Sequence, residues 1–198
     1  ADLVLRQRNV LLDCNHGSLV NTSKTYRFPA NGTDNPEILF YASCNTWNSL
    51  RPTTSNTSFV DRALYDLYDP NDLRKSMFFA NSGTDQKYRG SYTGTTGNFC
   101  GIALNEVILI RAECNTRLNN NAQATEDINA LLSKRFKTGT YTPKIAGNSD
   151  QTLSLVLQER RKELPFVGGL RWEDLRRLNK DVRFQVTITR TLNGQQVT

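Results

Sequence analysis

The sequence has little of what metal centres and nucleophilic enzymes need. Its 198 residues contain one histidine, His16, and four cysteines without a Cys-x-x-Cys pair. Structural zinc sites usually combine closely spaced Cys and His pairs, so the sequence indicates no metal ligands. A Ser-His-Asp or Cys-His catalytic device would depend on His16, which lies in a polar, loop-like stretch. We therefore expect no catalytic residue, no metal and no cofactor.

Long apolar runs and a strong charge of one sign are also missing. No segment approaches the roughly 20 apolar residues that span a bilayer, and Ala1-Asp2-Leu3 does not begin a signal peptide. The formal net charge is +6, and acidic residues are interleaved with the basic ones near the carboxyl-terminal end. This mixture is a weak signature of nucleic-acid binding. With 37% hydrophobic residues the chain can bury one ordinary core.

The most informative stretch runs from Leu153 to Leu178. Apolar residues recur at helical spacing until Pro165, which cannot continue the helix, and Gly168-Gly169 permits a sharp turn. A second helix is predicted from about Leu170, with its apolar stripe at Trp172, Leu175 and Leu178. Charges of both signs flank this stripe and favour a partly buried ion network. The alternative is a solvated charged face.

Helical periodicity also marks two earlier regions. We expect a helix from about Ser58 to Tyr68, and an antiparallel hairpin of two helices that turns at Asn119-Asn120-Asn121 and ends near Phe136. Val107 to Ile110 is apolar on every side, so it should be sandwiched between neighbours. Small residues suit close helix contacts, and we place three there: Ala112, Ala124 and Ala130.

Strand signals are short. A β-prone run follows Asn35-Pro36, residues 182 to 189 alternate like a strand, and Asn193-Gly194 is typical of a hairpin turn. Ser149 or Asp150 could cap the helix that begins the central stretch. The sequence leaves open whether Cys14 and Cys44 pair. Together these patterns predict a mainly α fold of tetratricopeptide-like helical hairpins, an α/α superhelix, with long loops and a few short strands or hairpins.

The central stretch resembles the carboxyl-terminal signature of the SusD/RagB family, which runs Glu-Arg-Arg-x-Glu-Leu, an aromatic, Glu-Gly, then Arg-aromatic-x-Asp-Leu-Arg. Val167 replaces the Glu before Gly, and Gly169 is an additional turn residue. Residues 35 to 40 resemble the family's Asn-Pro-Glu-Ile-Ile-Phe segment, and Asp72-Leu73-Arg74 resembles its Asp-x-Arg element. The signature positions are Glu159, Arg160, Arg161, Glu163, Leu164, Phe166, Gly168, Arg171, Trp172, Asp174, Leu175 and Arg176.

The resemblance implies a role without catalysis. Members capture glycans at the cell surface and deliver them to a SusC-like TonB-dependent transporter in the outer membrane, to whose extracellular face they are lipid-anchored. Residues 1–198 would form the C-terminal SusD/RagB-type domain, truncated at both ends relative to the family and without the lipidated amino terminus. Capture of oligopeptides is the alternative. A basic helical domain that binds nucleic acid is a weaker one, and a glycosidase that uses Glu106 and Glu113 is weaker still.

Within this expectation, Trp47 is the best sugar platform. It lies in a polar loop, where an aromatic ring can stack on the apolar face of a pyranose while amides bind the hydroxyl groups. Trp47 could instead belong to the core. The predicted ligand-binding residues are Trp47, Asn45, Asn48, Arg51, Tyr41 and Tyr92.

Overall fold

The computed structural model describes residues 10–20, 24–30, 32–44, 51–53 and 57–197. It divides into two compact units, Ala1–Gly168 and Gly169–Thr198, which are described separately. Among the described residues, no helix combines the length and apolar character needed to cross a membrane.

The first unit combines helices with short antiparallel strand pairs, as the sequence predicts. Its helices are α1 (Gly17–Val20), α2 (Arg62–Tyr65), α3 (Arg74–Phe78), α4 (Leu104–Arg117), α5 (Asn121–Ser133) and α6 (Ser149–Glu163). Its strands are β1 (Ile38–Phe40), β2 (Ser43–Cys44), β3 (Phe79–Ser82), β4 (Asp85–Tyr88), β5 (Asn98–Phe99) and β6 (Ile102–Ala103). The pairs are β1 with β6, β2 with β5, and β3 with β4.

The predicted helical hairpin is confirmed as α4 and α5. Asn119 lies in the turn with φ of 64°, a left-handed conformation that Asn tolerates well. Helices α4, α5 and α6 pack on one another. Their contact surfaces contain side chains with no exposure to solvent: Leu109, Ala112, Ala124, Ile128, Leu131, Leu132 and Val156.

Two expectations for this hairpin are wrong. Ile110 is 43% exposed, although Val107, Ile108 and Leu109 are buried, so α4 is covered on most of its surface and not all round. Ala130 is exposed and is not a close-contact residue, whereas Ala112 and Ala124 are fully buried. Apolar character alone does not reveal which side of a helix lacks a neighbour.

An aromatic core fills the space between the strand pairs and α2 and α3. Phe79 contacts Tyr68 edge to face, with ring centroids 5.3 Å apart, and Tyr88 packs on Phe166 at 4.7 Å. Gly90 permits a close approach here, since a Cβ atom at this position would lie 2.4 Å from the Phe78 ring. Such ring contacts add stability beyond the burial of apolar area.

The helix predicted from Ser58 to Tyr68 is mostly wrong, because α2 contains only Arg62–Tyr65. The amide of Val60 donates to the carbonyl of Gln86 at 2.9 Å, which attaches Val60 to β4 instead of to a helix. Asp61 then caps the helix by accepting from the amide of Ala63. A hydrogen bond to a distant residue therefore overrides the local helical pattern.

Helix α6 carries the central motif and has a full capping box. The cap is Asn148, not Ser149 or Asp150: its side chain accepts from the amide of Gln151, and the Gln151 side chain accepts from the amide of Asn148. The helix ends at Glu163, before Pro165. The corner that follows uses left-handed backbone at Phe166, with φ of 58°, and at Gly168, with φ of 44°.

The second unit contains α7 (Leu170–Leu178), a 3-10 turn (Val182–Phe184) and strands β7 (Arg190–Leu192) and β8 (Gln195–Val197). The hairpin turn at Asn193-Gly194 is confirmed, with φ of 50° and 79°. The strand predicted over residues 182 to 189 is wrong. The side chain of Asn179 brackets Val186 instead, accepting from its amide at 2.8 Å and donating to its carbonyl at 3.2 Å.

Two side chains of α7 test the predicted apolar stripe and the predicted ion network. Trp172 is 61% exposed, so its assignment to a buried stripe is wrong. Asp174 is buried and accepts from Nε of Arg177 at 2.8 Å, so its carboxylate pairs within its own helix.

The capping box of α6 gives a first prediction. Replacing Asn148 by Ala should lower the free energy of unfolding by about 1 kcal/mol, because the amide of Gln151 loses its acceptor. Gln158→Ala, at an exposed position of the same helix, is the matched control and should change stability by less than about 0.5 kcal/mol. Urea unfolding followed by circular dichroism measures both. Equal effects in the two variants would contradict the capping role.

Candidate functional site

The segment expected to bind ligand is fixed at both ends. Asn45, Trp47 and Asn48 lie outside the described residues, but the residues on either side are described. Cys44 ends β2 and pairs with Asn98. On the other side, the buried guanidinium of Arg51 donates to the carbonyls of Thr96 and Gly97. Both ends are therefore attached to one stretch of chain, residues 96–98.

That stretch is itself held by buried hydroxyl groups. Thr93 donates to the carbonyl of Gly97 at 2.8 Å, and the hydroxyl of Ser91 accepts from the amide of Phe99 at 3.1 Å. Ser91 and Thr93 are almost fully buried. These bonds satisfy backbone groups that a buried turn would otherwise leave without partners.

Tyr41 is the described candidate whose ring reaches solvent. It lies between β1 and β2 and is 43% exposed. Its ring packs against Gly32, where a Cβ atom would lie 2.1 Å from the Tyr41 ring, and its centroid is 6.3 Å from that of Phe99. Tyr41 thus combines a supported ring with an accessible surface, which suits stacking on a sugar.

Arg51 and Tyr92 point inward. Arg51 is 3% exposed, and its guanidinium lies 5.5 Å from the centroid of the Tyr88 ring. Tyr92 is 7% exposed, and its ring lies between Phe28 and Phe99. Both side chains are engaged by protein groups, so neither presents its polar atoms to a ligand in this structure. They support the region from within.

Beneath this region, the carboxylate of Glu163 is the centre of a buried network. Its Oε1 accepts from Nε of Arg135 at 2.9 Å, from Nη2 of Arg135 at 2.7 Å and from Nδ2 of Asn105 at 2.9 Å. Its Oε2 accepts from Nη1 of Arg74 at 2.9 Å. Charge-assisted bonds of this kind are stronger than neutral ones. Although burial raises the pKa of Glu163, Arg135 and Arg74 lower it to about 2.

Arg74 is the second centre of the network and has no exposed surface. It forms a fork with Asp72, from Nε at 2.8 Å and Nη2 at 2.6 Å, and Nη2 also donates to Glu159 at 2.9 Å. Lys162 donates to Glu159 at 2.8 Å and thereby adds a third cation. Burial lowers the pKa of Arg74, but Asp72 and Glu159 more than offset this and raise it well above its ordinary value.

Glu37 shares Arg135 with Glu163 but behaves differently. Its Oε1 accepts from Nη2 of Arg135 and from the amide of Leu12, each at 2.7 Å, and its Oε2 accepts from the Tyr92 hydroxyl at 2.5 Å. Burial raises the pKa of the Glu37 carboxyl, and Arg135 offsets only part of that effect. Of the two acids beside Arg135, Glu163 is therefore the one that remains ionised most readily.

A small cavity borders this network. Tyr92, Asn105, Glu163 and Leu164 contribute to its lining, and it encloses about 10 Å³. A single water molecule needs about 10 to 15 Å³ on this measure. This cavity is therefore far too small for a sugar ring.

The motif residues identified in the sequence meet in this network. Glu37, the Asp72 and Arg74 pair, and Glu159 with Glu163 come from three separate segments and converge on two arginines. Sequence reasoning missed Arg135. A signal was present, because Arg135 continues the buried stripe of α5, seven residues after Ile128 and four after Leu131. A cation at such a position needs a buried partner.

Several residues that the glycosidase and nucleic-acid interpretations would use are paired within the protein. Glu106 lies 3.4 Å from Arg160, and Glu113 lies 2.8 Å from Arg117. Arg161 lies 3.4 Å from Asp61. Among the residues that the structure describes, His, Cys, Asp and Glu side chains form no group of three or more able to hold a metal ion.

Comparison with known proteins identifies the family. A sequence model of the SusD family matches residues 45–196, which is most of the chain. The chain belongs to the SusD family. A crystal structure of a SusD-like carbohydrate binding protein from Bacteroides vulgatus ATCC 8482 matches with a TM-score of 0.62 and 21% sequence identity. That match covers 99% of this chain and 44% of the other, so the chain spans less than half of that SusD-like protein. No curated protein shows significant similarity to the chain.

The two acids beside Arg135 give a second prediction. Glu163→Gln should lower the free energy of unfolding by about 3 to 5 kcal/mol, because Arg74 and Arg135 lose the charge between them while remaining buried. Glu37→Gln should cost much less, since Arg135 keeps the Glu163 carboxylate as its charged partner. Chemical denaturation at pH 7 measures both isosteric changes. A Glu37→Gln variant as unstable as Glu163→Gln would contradict this assignment.

A third prediction concerns pH. Glu163 has a folded pKa of about 2 against an ordinary value of 4.5, so the stability it contributes is complete above pH 4.5 and is lost as pH falls towards 2. The full contribution is about 3 kcal/mol. The stability difference between the wild type and Glu163→Gln should therefore narrow below pH 4.5. Unfolding curves between pH 7 and pH 3 measure it, and a constant difference would refute the linkage.

Proposed function

We propose that this chain is part of a cell-surface protein that captures glycans without catalysis and delivers them to a SusC-like TonB-dependent transporter in the outer membrane. Membership of the SusD family, over residues 45–196, carries this proposal. The similar structure is described as a carbohydrate binding protein, which favours glycans over other ligands. The complete protein would be anchored by an amino-terminal lipid at the extracellular face, with this chain as its C-terminal SusD/RagB-type domain.

The finer architecture that we propose is a tetratricopeptide-like array. The antiparallel hairpin of α4 and α5, with α6 packed against both, supports this proposal, because in such repeats each unit covers the exposed face of the next. Further helical pairs in the complete protein would extend it into an α/α superhelix. In this arrangement, helices provide a rigid support while loops contact the ligand.

For the ligand contacts, we propose that Trp47 stacks on a sugar ring and that Asn45 and Asn48 bind hydroxyl groups. The position of the flanking residues supports this: Cys44 and Arg51 attach the segment to residues 96–98, and Tyr41, in the stretch that leads into β2, supplies an exposed ring. The sequence also suggested Arg51 and Tyr92 as contacts. Given their burial, we propose that they position the surface and do not touch the ligand.

The ion pairs of the first unit favour ligand binding without catalysis. Glu106 and Glu113 lie on one helix seven residues apart, which corresponds to about 10 Å along its axis, and each is paired with an arginine. A glycosidase needs two carboxyl groups free to act on one bond. The same pairing argues against nucleic-acid binding through Arg160 and Arg161, which face Glu106 and Asp61.

A glycan array that includes oligopeptides tests the proposal. Binding of defined saccharides, with no release of shorter products, is the expected result. Retention of peptides alone would favour the alternative, capture of oligopeptides by the same architecture. Binding of nucleic acid that weakens steeply between 50 mM and 200 mM salt would overturn both.

A fourth prediction addresses Trp47 directly. Trp47→Ala should weaken glycan binding by about 1 to 3 kcal/mol, roughly 5- to 150-fold, as expected for loss of one stacking ring. The melting temperature of the Trp47→Ala variant should stay within a degree or two of that of the wild type. Trp172→Ala is the matched control, because Trp172 is 61% exposed on α7 and should matter little to either property. Isothermal titration and thermal melts measure the pair. If Trp47→Ala unfolds the protein, Trp47 belongs to the core.

A further inference from the structure

Two of the four cysteines lie close together at one strand pair, Cys44 within β2 and Cys100 just after β5. Cys44 in β2 pairs with Asn98 in β5, and the amide of Cys100 donates to the carbonyl of Ala42 at 2.9 Å, which extends the same ladder by one step. Side chains alternate between the faces of a strand, so Cys100 lies on the same face as Asn98, and therefore on that of Cys44. The two cysteines are diagonal neighbours across the ladder.

The two thiol groups are neighbours. The thiol of Cys100 donates to the carbonyl of Asn98 at 3.7 Å. It is also hydrogen-bonded with the thiol of Cys44, and the amides of Cys44 and Gly168 bond to the Cys100 sulfur. Gly168 is held in place because its amide donates to the carbonyl of Phe99 at 3.0 Å. A Cβ atom at Gly168 would lie 3.9 Å from the Cys100 sulfur, so the backbone closes one side of the pair.

The other two cysteines have different surroundings. Cys14 is 2% exposed, and burial raises the pKa of its thiol to about 12, which makes it unreactive. Its amide donates to the carbonyl of Lys134. Cys114 is exposed on α4. The pairing of Cys14 with Cys44 that the sequence left open is thus replaced by a contact between Cys44 and Cys100.

We propose that Cys44 and Cys100 are a disulfide-forming pair that a small-molecule disulfide oxidises by thiol–disulfide exchange. One thiolate attacks the external disulfide, forms a mixed disulfide and releases one external thiol. The second cysteine then attacks the mixed disulfide, which forms the Cys44–Cys100 bond and releases the second external thiol. The two cysteines lose two electrons to the external disulfide, and their protons end on the two released thiols.

The bond would link the residue before the predicted ligand segment to residue 100, in the core ladder. Closing so long a stretch of chain reduces the entropy of the unfolded state, and such cross-links usually stabilise a folded protein. In an oxidising environment outside the cell the bridge would persist, whereas in a reducing environment both thiols would be free.

Oxidised glutathione is the probe for this pair. The purified chain is incubated with it at pH 8, remaining thiols are alkylated, and the non-reduced digest is mapped by mass spectrometry. We expect a cross-linked peptide that joins Cys44 to Cys100, with Cys114 alkylated or carrying glutathione. The oxidised protein should melt about 5 °C or more above the reduced one. Reduction with dithiothreitol should restore four titratable thiols under denaturing conditions.

Single cysteine variants distinguish a specific Cys44–Cys100 disulfide from random oxidation of the cysteines. Cys114→Ser should leave both the cross-link and the rise in melting temperature unchanged, whereas Cys44→Ser and Cys100→Ser should each abolish both. The peptide map of the wild-type protein shows whether the Cys44–Cys100 cross-link forms, even if one of these variants folds poorly. Glutathione on Cys44 or Cys100 without a cross-link, a link from either residue to Cys14 or Cys114, or four free thiols would each overturn the proposal.

Discussion

The carboxylate of Glu163 is the group on which the arrangement of the first unit depends. It is fully buried, and its partners come from α3, from the start of α4 and from the residues just after α5. A buried charge is tolerated only while its partners stay in place. A charged group that loses its partner inside the protein still carries the full free-energy cost of its removal from water. Apolar contacts alone would let the helices slide past one another, and the charged network instead holds them at one relative position.

This constraint explains why several motif residues of the family lie inside the protein. Glu37, Asp72, Arg74 and Glu159 belong to three separate motifs, yet all of them serve the same network. The motif residues thus report on the fold and reveal little about the ligand. The proposed recognition segment lies between Cys44 and Arg51, and these two flanking residues are attached to residues 96–98, not to the buried charges.

Local pattern failed where a distant hydrogen bond competed with it. Val60 lies in a stretch with helical periodicity, but its amide donates to the carbonyl of Gln86. The helix is therefore reduced to one turn, Arg62–Tyr65. Residues after Asn179 alternate like a strand, but the Asn179 side chain bonds to both backbone groups of Val186. In contrast, the hairpin of α4 and α5 and the turn at Asn193-Gly194 were predictable, because their signals are short in range and involve only adjacent residues.

The sequence by itself determined the family, the class of fold and the residues of the main motifs, because helical periodicity, turn residues and motif spacing are all local properties. Only the tertiary structure showed that Arg135 joins Glu37 to Glu163, that Tyr92 is covered while Tyr41 is exposed, and that Cys44 meets Cys100. These facts concern residues 28 or more positions apart or the side of an element that faces the core. Local spacing cannot encode them, because they arise when separate segments pack together and exclude water.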